Sequence, residues 1–214
     1  MITNIRHNYA EEVAEKLREE IVTGRLRPNE HLVETTIAKR MKVSRTPVRE
    51  ALKRLEIQGY LSRLKGGRLT VTDHTPSQIR NLYEVREALE TMAMKLACQR
   101  ATNEQIEIAE DLHNRMFGVI REKDVERFIN LNSAFHNTLF SACGNEQLLS
   151  LLHTYRDQFF DRRLVRVFNS NDWRSMQKQH SRLLDAVRQH NLRLAERAVH
   201  EHVRTALRIA IERL

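Results

Sequence analysis

The chain has 214 residues, a net charge of +8, 41% hydrophobic residues, and only six glycines and three prolines. That length suits one large or two small domains, and so little Gly and Pro points to a mainly α-helical protein with short loops. No apolar run approaches the ~18 residues of a membrane span, the polar start MITNIRHNYAEE does not read as a signal peptide, and Cys98 and Cys143 form no CxxC. A membrane-spanning helix and a disulfide framework are therefore not expected, and a reducing, cytoplasmic setting is.

The charge is concentrated. Between Lys39 and Arg68 ten Lys and Arg residues meet only Glu50 and Glu56, so this segment alone carries +8 and the rest of the chain is balanced. A basic block in a balanced protein is the footprint of a polyanion partner.

In chain order, Val13, Leu17 and Ile21 give a first amphipathic helix that Gly24 stops. Arg27, Pro28 and Asn29 make a turn. A short helix follows at about 34–41, and Lys42 and Val43 lead tightly into a third. In VSRTPVREALKRLEIQGYL, Ser44 is expected as N-cap, Pro47 lies in the first turn and Gly59 ends the helix. Val48, Ala51, Leu52 and Leu55 form its apolar stripe. Arg45, Arg49 and Lys53 fall at i, i+4 and i+8 on another face, flanked by Thr46 and Arg54. Two helices joined by so few residues, the second basic, form a helix-turn-helix. Two short strands at 61–64 and 69–71 flank Lys65, Gly66, Gly67 and Arg68, a glycine hairpin with two cations that reads as a wing.

The run PNEHLVETTIAKRMKVSRTPVREALKRLEIQGYLSRLKGGRLTV resembles the winged-helix domain of GntR-type bacterial transcriptional regulators. The resemblance implies that Arg45, Thr46 and Arg49 contact bases or phosphates, and that Gly66 and its neighbours enter the minor groove. Asn29 stands where that family usually has Gly, at a turn position that Asn tolerates. The expected double-stranded operator interface comprises Ser44, Arg45, Thr46, Arg49, Lys53, Lys65, Gly66 and Arg68.

Residues 73–77 read as a linker and 78–214 as an all-α domain, with helices expected at 76–99, 103–122, 124–142, 146–167, 171–190 and 191–213. Counting about 100° per residue, Asn132 falls inside the stripe of Phe128, Leu131, Phe135 and Leu139, with His136 at its edge. His180 sits amid Met176, Leu183, Leu184 and Val187, and His202 amid Ala198, Val199, Ala206 and Ile209. His153 and His200 point out. Inward histidines are either hydrogen-bonded core residues or ligands for Zn²⁺, Ni²⁺ or Mn²⁺. No HExxH is present, so a zincin-type peptidase has no support. Arg86 also faces inward, either in a salt bridge to Glu90 or as a clamp for a small carboxylic acid.

YEVREALE, NSAFHNTLFSACGN, the QH at 179–180 and AVHEHV resemble the FCD effector domain of the FadR branch of GntR regulators. The resemblance implies an Asp-x3-His…His…His metal site that helps hold an organic acid; it lands on Asn132, His136, His180 and His202, with Asn replacing the usual Asp. It also implies that Arg86 faces the effector. The expectation is a homodimeric transcriptional regulator, a repressor released by a small acid, with residues 1–72 on DNA. Alternatives are a direct metal sensor or a metalloenzyme with a DNA-binding appendage.

Overall fold

The computed structural model describes residues 2–122, 124–157 and 167–213, which divide into two compact units, Met1–His74 and Thr75–Leu214. The first contains α1 (Ile2–Val22), α2 (Glu34–Met41), α3 (Arg45–Ile57), β1 (Leu61–Arg63) and β2 (Leu69–Val71). Its core joins Val13, Leu17 and Ile21 of α1 to Ile37 of α2, Val48, Ala51, Leu52 and Leu55 of α3, and Tyr60, Leu61 and Val71. α2 ends at Lys42 in the left-handed conformation (φ 56°), and the turn into α3 spans residues 42–44.

β1 and β2 pair antiparallel with Leu61 opposite Val71 and Arg63 opposite Leu69. The wing is anchored on its far side too. Leu32 N–H donates to Leu69 O at 2.9 Å and Asn29 N–H to Val71 O at 2.9 Å. Asn29 adopts φ 65°, and its amide nitrogen donates to Asp73 Oδ2 at 2.8 Å. Asn thus does the turn's work where glycine would have had no side chain to tie the strand end down.

The second unit comprises α4 (Pro76–Arg100), α5 (Asn103–Glu122), α6 (Val125–Ser141), α7 (Glu146–Asp157), α8 (Ser170–Arg188) and α9 (Leu192–Arg213). α4 packs on α6, α7, α8 and α9, and α5 packs on α6 and α8. One apolar core runs through the unit, with Phe128 and Phe135 fully buried and the half-buried Trp173 set 4.2 Å from the Phe128 ring.

The breaks between helices are caps. Thr102 Oγ1 accepts from Gln105 N–H, Asp124 from Arg127 N–H and Asn145 from Leu148 N–H. Asn169 accepts from Asn171 and Asp172 N–H, and Asn191 from Leu194 N–H. Each satisfies a backbone donor that the helix start leaves open.

α4 begins at Pro76, where its helix was expected, because Thr75 and Gln78 form a capping box there, so the helix takes in the last two residues of the expected linker. Other boundaries differ from expectation. β1 stops at Arg63, since Leu64 already opens the hairpin turn, its carbonyl accepting from Gly67 N–H at 3.0 Å. Ser44 occupies the N-cap of α3 without a side-chain capping bond. The helix expected at 146–167 is described as far as Asp157, and residues 158–166 lie outside the described residues. Among the described residues, no helix is long and apolar enough to cross a membrane.

Candidate functional site

Each unit carries a concentration of candidate functional side chains. In the first, α3 buries Pro47, Val48, Ala51, Leu52 and Leu55 and turns Ser44, Arg45, Thr46, Arg49 and Lys53 to solvent. The wing exposes Lys65, Gly66 and Arg68 beside them. Between the start of α2, α3 and the wing lies a cleft of about 720 Å³, edged by Arg45, Arg49, Lys53 and Arg68. Gly66 (φ 104°) and Gly67 (φ 80°) shape the wing tip, and a Cβ at either would meet nothing within 4 Å. The backbone conformation, rather than crowding, requires glycine there.

The basic face is more organised than its charge count suggests. Glu34 of α2 accepts from Arg49 through Nε and Nη2, each at 3.1 Å, and from Arg45 Nη2 at 3.2 Å. The hydrogen bonds from Arg49, with help from Arg45, hold the Glu34 carboxyl below its usual range, and Glu34 in turn raises Arg49. Arg40 pairs with Glu20, Arg54 with Glu11, and Arg63 with Glu56. Among the described residues, Lys53, Lys65 and Arg68 have no ion pair. The sequence reading of this face had no place for Glu34, since an isolated acid before a short helix carries no pattern.

In the second unit, α6, α8 and α9 bring His136, His180 and His202 together. All three are buried, and one ring nitrogen from each lies within 4.8 Å of the others. Ring centroids are 4.9 Å apart for His136–His180, 5.0 Å for His136–His202 and 5.1 Å for His180–His202. The Phe135 ring lies 5.0 Å from His180, and Phe140 stacks on His136 at 5.7 Å. Asn132, also buried, sits one turn before His136 on the same helix. Three imidazoles at this spacing, with an amide oxygen one turn away, fit a divalent ion with metal–nitrogen bonds of about 2.1 Å and open positions for a further ligand.

The two remaining expected placements divide. His153 and His200 face solvent, and His200 Nδ1 pairs with Glu87 at 2.7 Å. Arg86 is buried, but its Nε donates to the buried Glu90 Oε1 at 2.6 Å, and its guanidinium lies 5.3 Å from the Tyr83 ring centre. Pairs of Glu87 with His200 and Arg204, and of Lys95 with Glu196, fix α4 antiparallel to α9. In that register Arg86 and Glu90 bracket the level of His202, within about 3 Å along the axis at about 1.5 Å per residue.

Sequence reasoning missed His113. It is buried on α5, its Nε2 lies 3.2 Å from both Gln177 O and Ser181 Oγ, and its own carbonyl accepts from Gln177 Nε2 at 2.9 Å. The signal was present, because position 113 lies four residues after Ala109 and three before Met116, inside the stripe of α5.

Comparison with known proteins covers both units. The profile "Bacterial regulatory proteins, gntR family" matches residues 9–71, and the profile "FCD domain" matches 81–205. The chain is 32% identical over 165 residues to the Nta operon transcriptional regulator of Aminobacter aminovorans, covering 76% of this chain and 74% of that one. It is 28% identical to the HTH-type transcriptional regulator YdhC of Bacillus subtilis, over 87% and 84% of the two chains. Among solved structures, Escherichia coli McbR/YncC shares the fold with a TM-score of 0.80 at 23% identity, covering 95% of this chain and 97% of that one. With an FCD match longer than half the chain behind a GntR match, the protein belongs to the GntR family of bacterial transcriptional regulators with a C-terminal FCD domain, and it is a regulator rather than an enzyme.

Proposed function

We propose that this regulator is a homodimeric repressor whose operator affinity is set by a small carboxylic acid held beside a metal ion in the C-terminal unit. The observation that carries the reading is the buried trio His136, His180 and His202, gathered from three helices to within 4.8 Å. Asn132 would complete the donor set. The bound ion would supply a Lewis-acidic, positively charged anchor for a carboxylate. The same unit would provide the dimer contact, since one recognition helix reads only a short half-site and symmetry doubles it. Residues 1–72 would then hold the operator through Ser44, Arg45, Thr46, Arg49, Lys53, Lys65, Gly66 and Arg68.

Arg86 enters this reading with a condition. Its buried pair with Glu90 means that an acid reaching Arg86 competes with a carboxylate already in place. Removing one member of a buried pair leaves the other uncompensated, so exchange of one carboxylate for another is the route that keeps Arg86 neutralised. The same pair favours a second reading, in which metal alone is the signal and Arg86 is structural.

The deciding experiment is metal analysis of untagged protein purified without chelator, followed by operator-binding titrations. Near one equivalent of Zn²⁺, Ni²⁺ or Mn²⁺ per chain, lost in His180→Ala with helicity intact, supports the site. Operator affinity that then responds to small carboxylic acids, and not to metal alone, supports the acid-sensing reading. A response to metal alone, unaffected by Arg86→Ala, supports the metal sensor. Absence of bound metal, with none taken up on addition, would sink both.

A further inference from the structure

Glu34 lies outside the recognition helix, yet both oxygens of its carboxylate turn onto it. Oε1 accepts from Arg49 Nε, and Oε2 accepts from the Nη2 of Arg49 and of Arg45. The Glu34 side chain is 30% exposed against 60% for Arg45 and 64% for Arg49, so the acid sits behind and the guanidiniums in front. A guanidinium can make paired parallel bonds along two edges, Nε–Nη2 and Nη1–Nη2. Glu34 fills the first edge of Arg49. The second is left over, and among the described residues Arg49 Nη1 has no partner. That edge matches the O6 and N7 acceptors of guanine.

An acid inside a polyanion-binding face weakens the general attraction to phosphate. Exposed ion pairs also contribute little to stability. Holding α2 to α3 is therefore a weak reason for Glu34 to stand where it does. Orientation is a stronger one, because a free arginine samples many rotamers and a buttressed one presents a single fork.

We infer that Glu34 is a positioning residue for operator specificity. It fixes the Arg49 fork, and Arg45 beside it, so that the free Nη1–Nη2 edge of Arg49 reads a guanine in each half-site. The inference rests on the reading that α3 enters the major groove.

Two opposed effects make it testable. The probes are the tightest duplex recovered by selection from a randomised pool with the full-length protein, and a scrambled duplex of the same composition, at one fixed salt concentration. Glu34→Ala is expected to bind the selected duplex less well while binding the scrambled duplex as well or better. The ratio of the two affinities should fall about tenfold, the worth of one bidentate base contact. Glu34→Gln, which keeps an acceptor oxygen without the charge, should give an intermediate ratio. Replacing each guanine of the selected half-site in turn by 7-deazaguanine should find one position that weakens the wild type and leaves Glu34→Ala unchanged.

A parallel rise on both duplexes would make Glu34 merely repulsive and overturn the inference, as would an unchanged ratio. Failure of the underlying reading looks different, because Arg49→Ala would then bind the selected duplex as tightly as the wild type does. Circular dichroism and retained affinity for the scrambled duplex establish that the variants are folded.

Discussion

At the scale of single residues, the charge on a side chain decides more than its position does. Asn132 and the three histidines would form a donor set in which no member carries negative charge. Asn132→Asp adds a carboxylate one turn from His136 and should tighten divalent-metal binding, read by competition with a metallochromic chelator; an unchanged affinity would remove position 132 from the site. Cys98 illustrates burial outweighing a hydrogen bond. Its thiol is buried, donates to Ala186 O at 3.3 Å, and is pushed up to about 11 by loss of solvation. The folded state therefore holds the thiol proton beyond the point where the unfolded chain releases it. Below pH 8 the thiol is protonated in both states and its ionisation leaves stability unchanged. As pH rises from about 9 toward 11 the folded state loses ground. A thiol reagent at pH 8 should leave Cys98 unlabelled until denaturant is added, and Cys98→Ala should flatten the alkaline decline in melting temperature. Glu34 runs the other way. Its lowered pKa makes the pairing with Arg49 contribute stability above the ordinary value of 4.5, and that contribution is lost as pH falls below it.

At the scale of elements, the sequence marks the helix boundaries through their chemistry. Thr102, Asp124, Asn145, Asn169 and Asn191 interrupt otherwise periodic runs, and each accepts a bond from a backbone N–H within the next three residues. Asn169 is the strongest case, because its side chain takes two N–H groups while Asp172 reaches back to its backbone. Asn169→Ala should lower stability by about 1 kcal/mol, read by urea unfolding, and a change below a few tenths would mean that Asp172 and Arg213 hold that end without it. The helical stripes were equally legible, since Asn132, His136, His180, His202 and Arg86 are buried as their angles require. What angles do not encode is the partner. An angular reading leaves Arg86 open between Glu90 and a ligand. It gives no reason to connect Glu34 on α2 with Arg49 on α3, because that contact depends on the turn at residues 42–44 closing the two helices together. His113 went unread although its stripe is clear, and it proves to clasp α5 to α8 beside the turn that bears His180.

At the scale of the whole molecule, the proposed function is a coupling between the unit that carries the basic cleft and the unit that carries the histidines. If an acid lowers operator affinity by some factor, operator DNA must lower affinity for that acid by the same factor. Titrating the acid with and without the selected duplex checks this, and unequal factors would show that a further equilibrium, such as dimer dissociation, intervenes. The fold supplies the instrument for it. Trp173 is the chain's sole tryptophan. Its indole nitrogen donates to Phe168 O at 3.2 Å, and its ring packs edge-on to Phe128. It shares α8 with His180, seven residues and about 10 Å along the axis away. Red-edge excitation therefore lights the C-terminal unit and leaves the N-terminal unit dark. A movement of α8 against α6 that changes the Trp173–Phe128 contact should alter its emission, with no label to perturb either end.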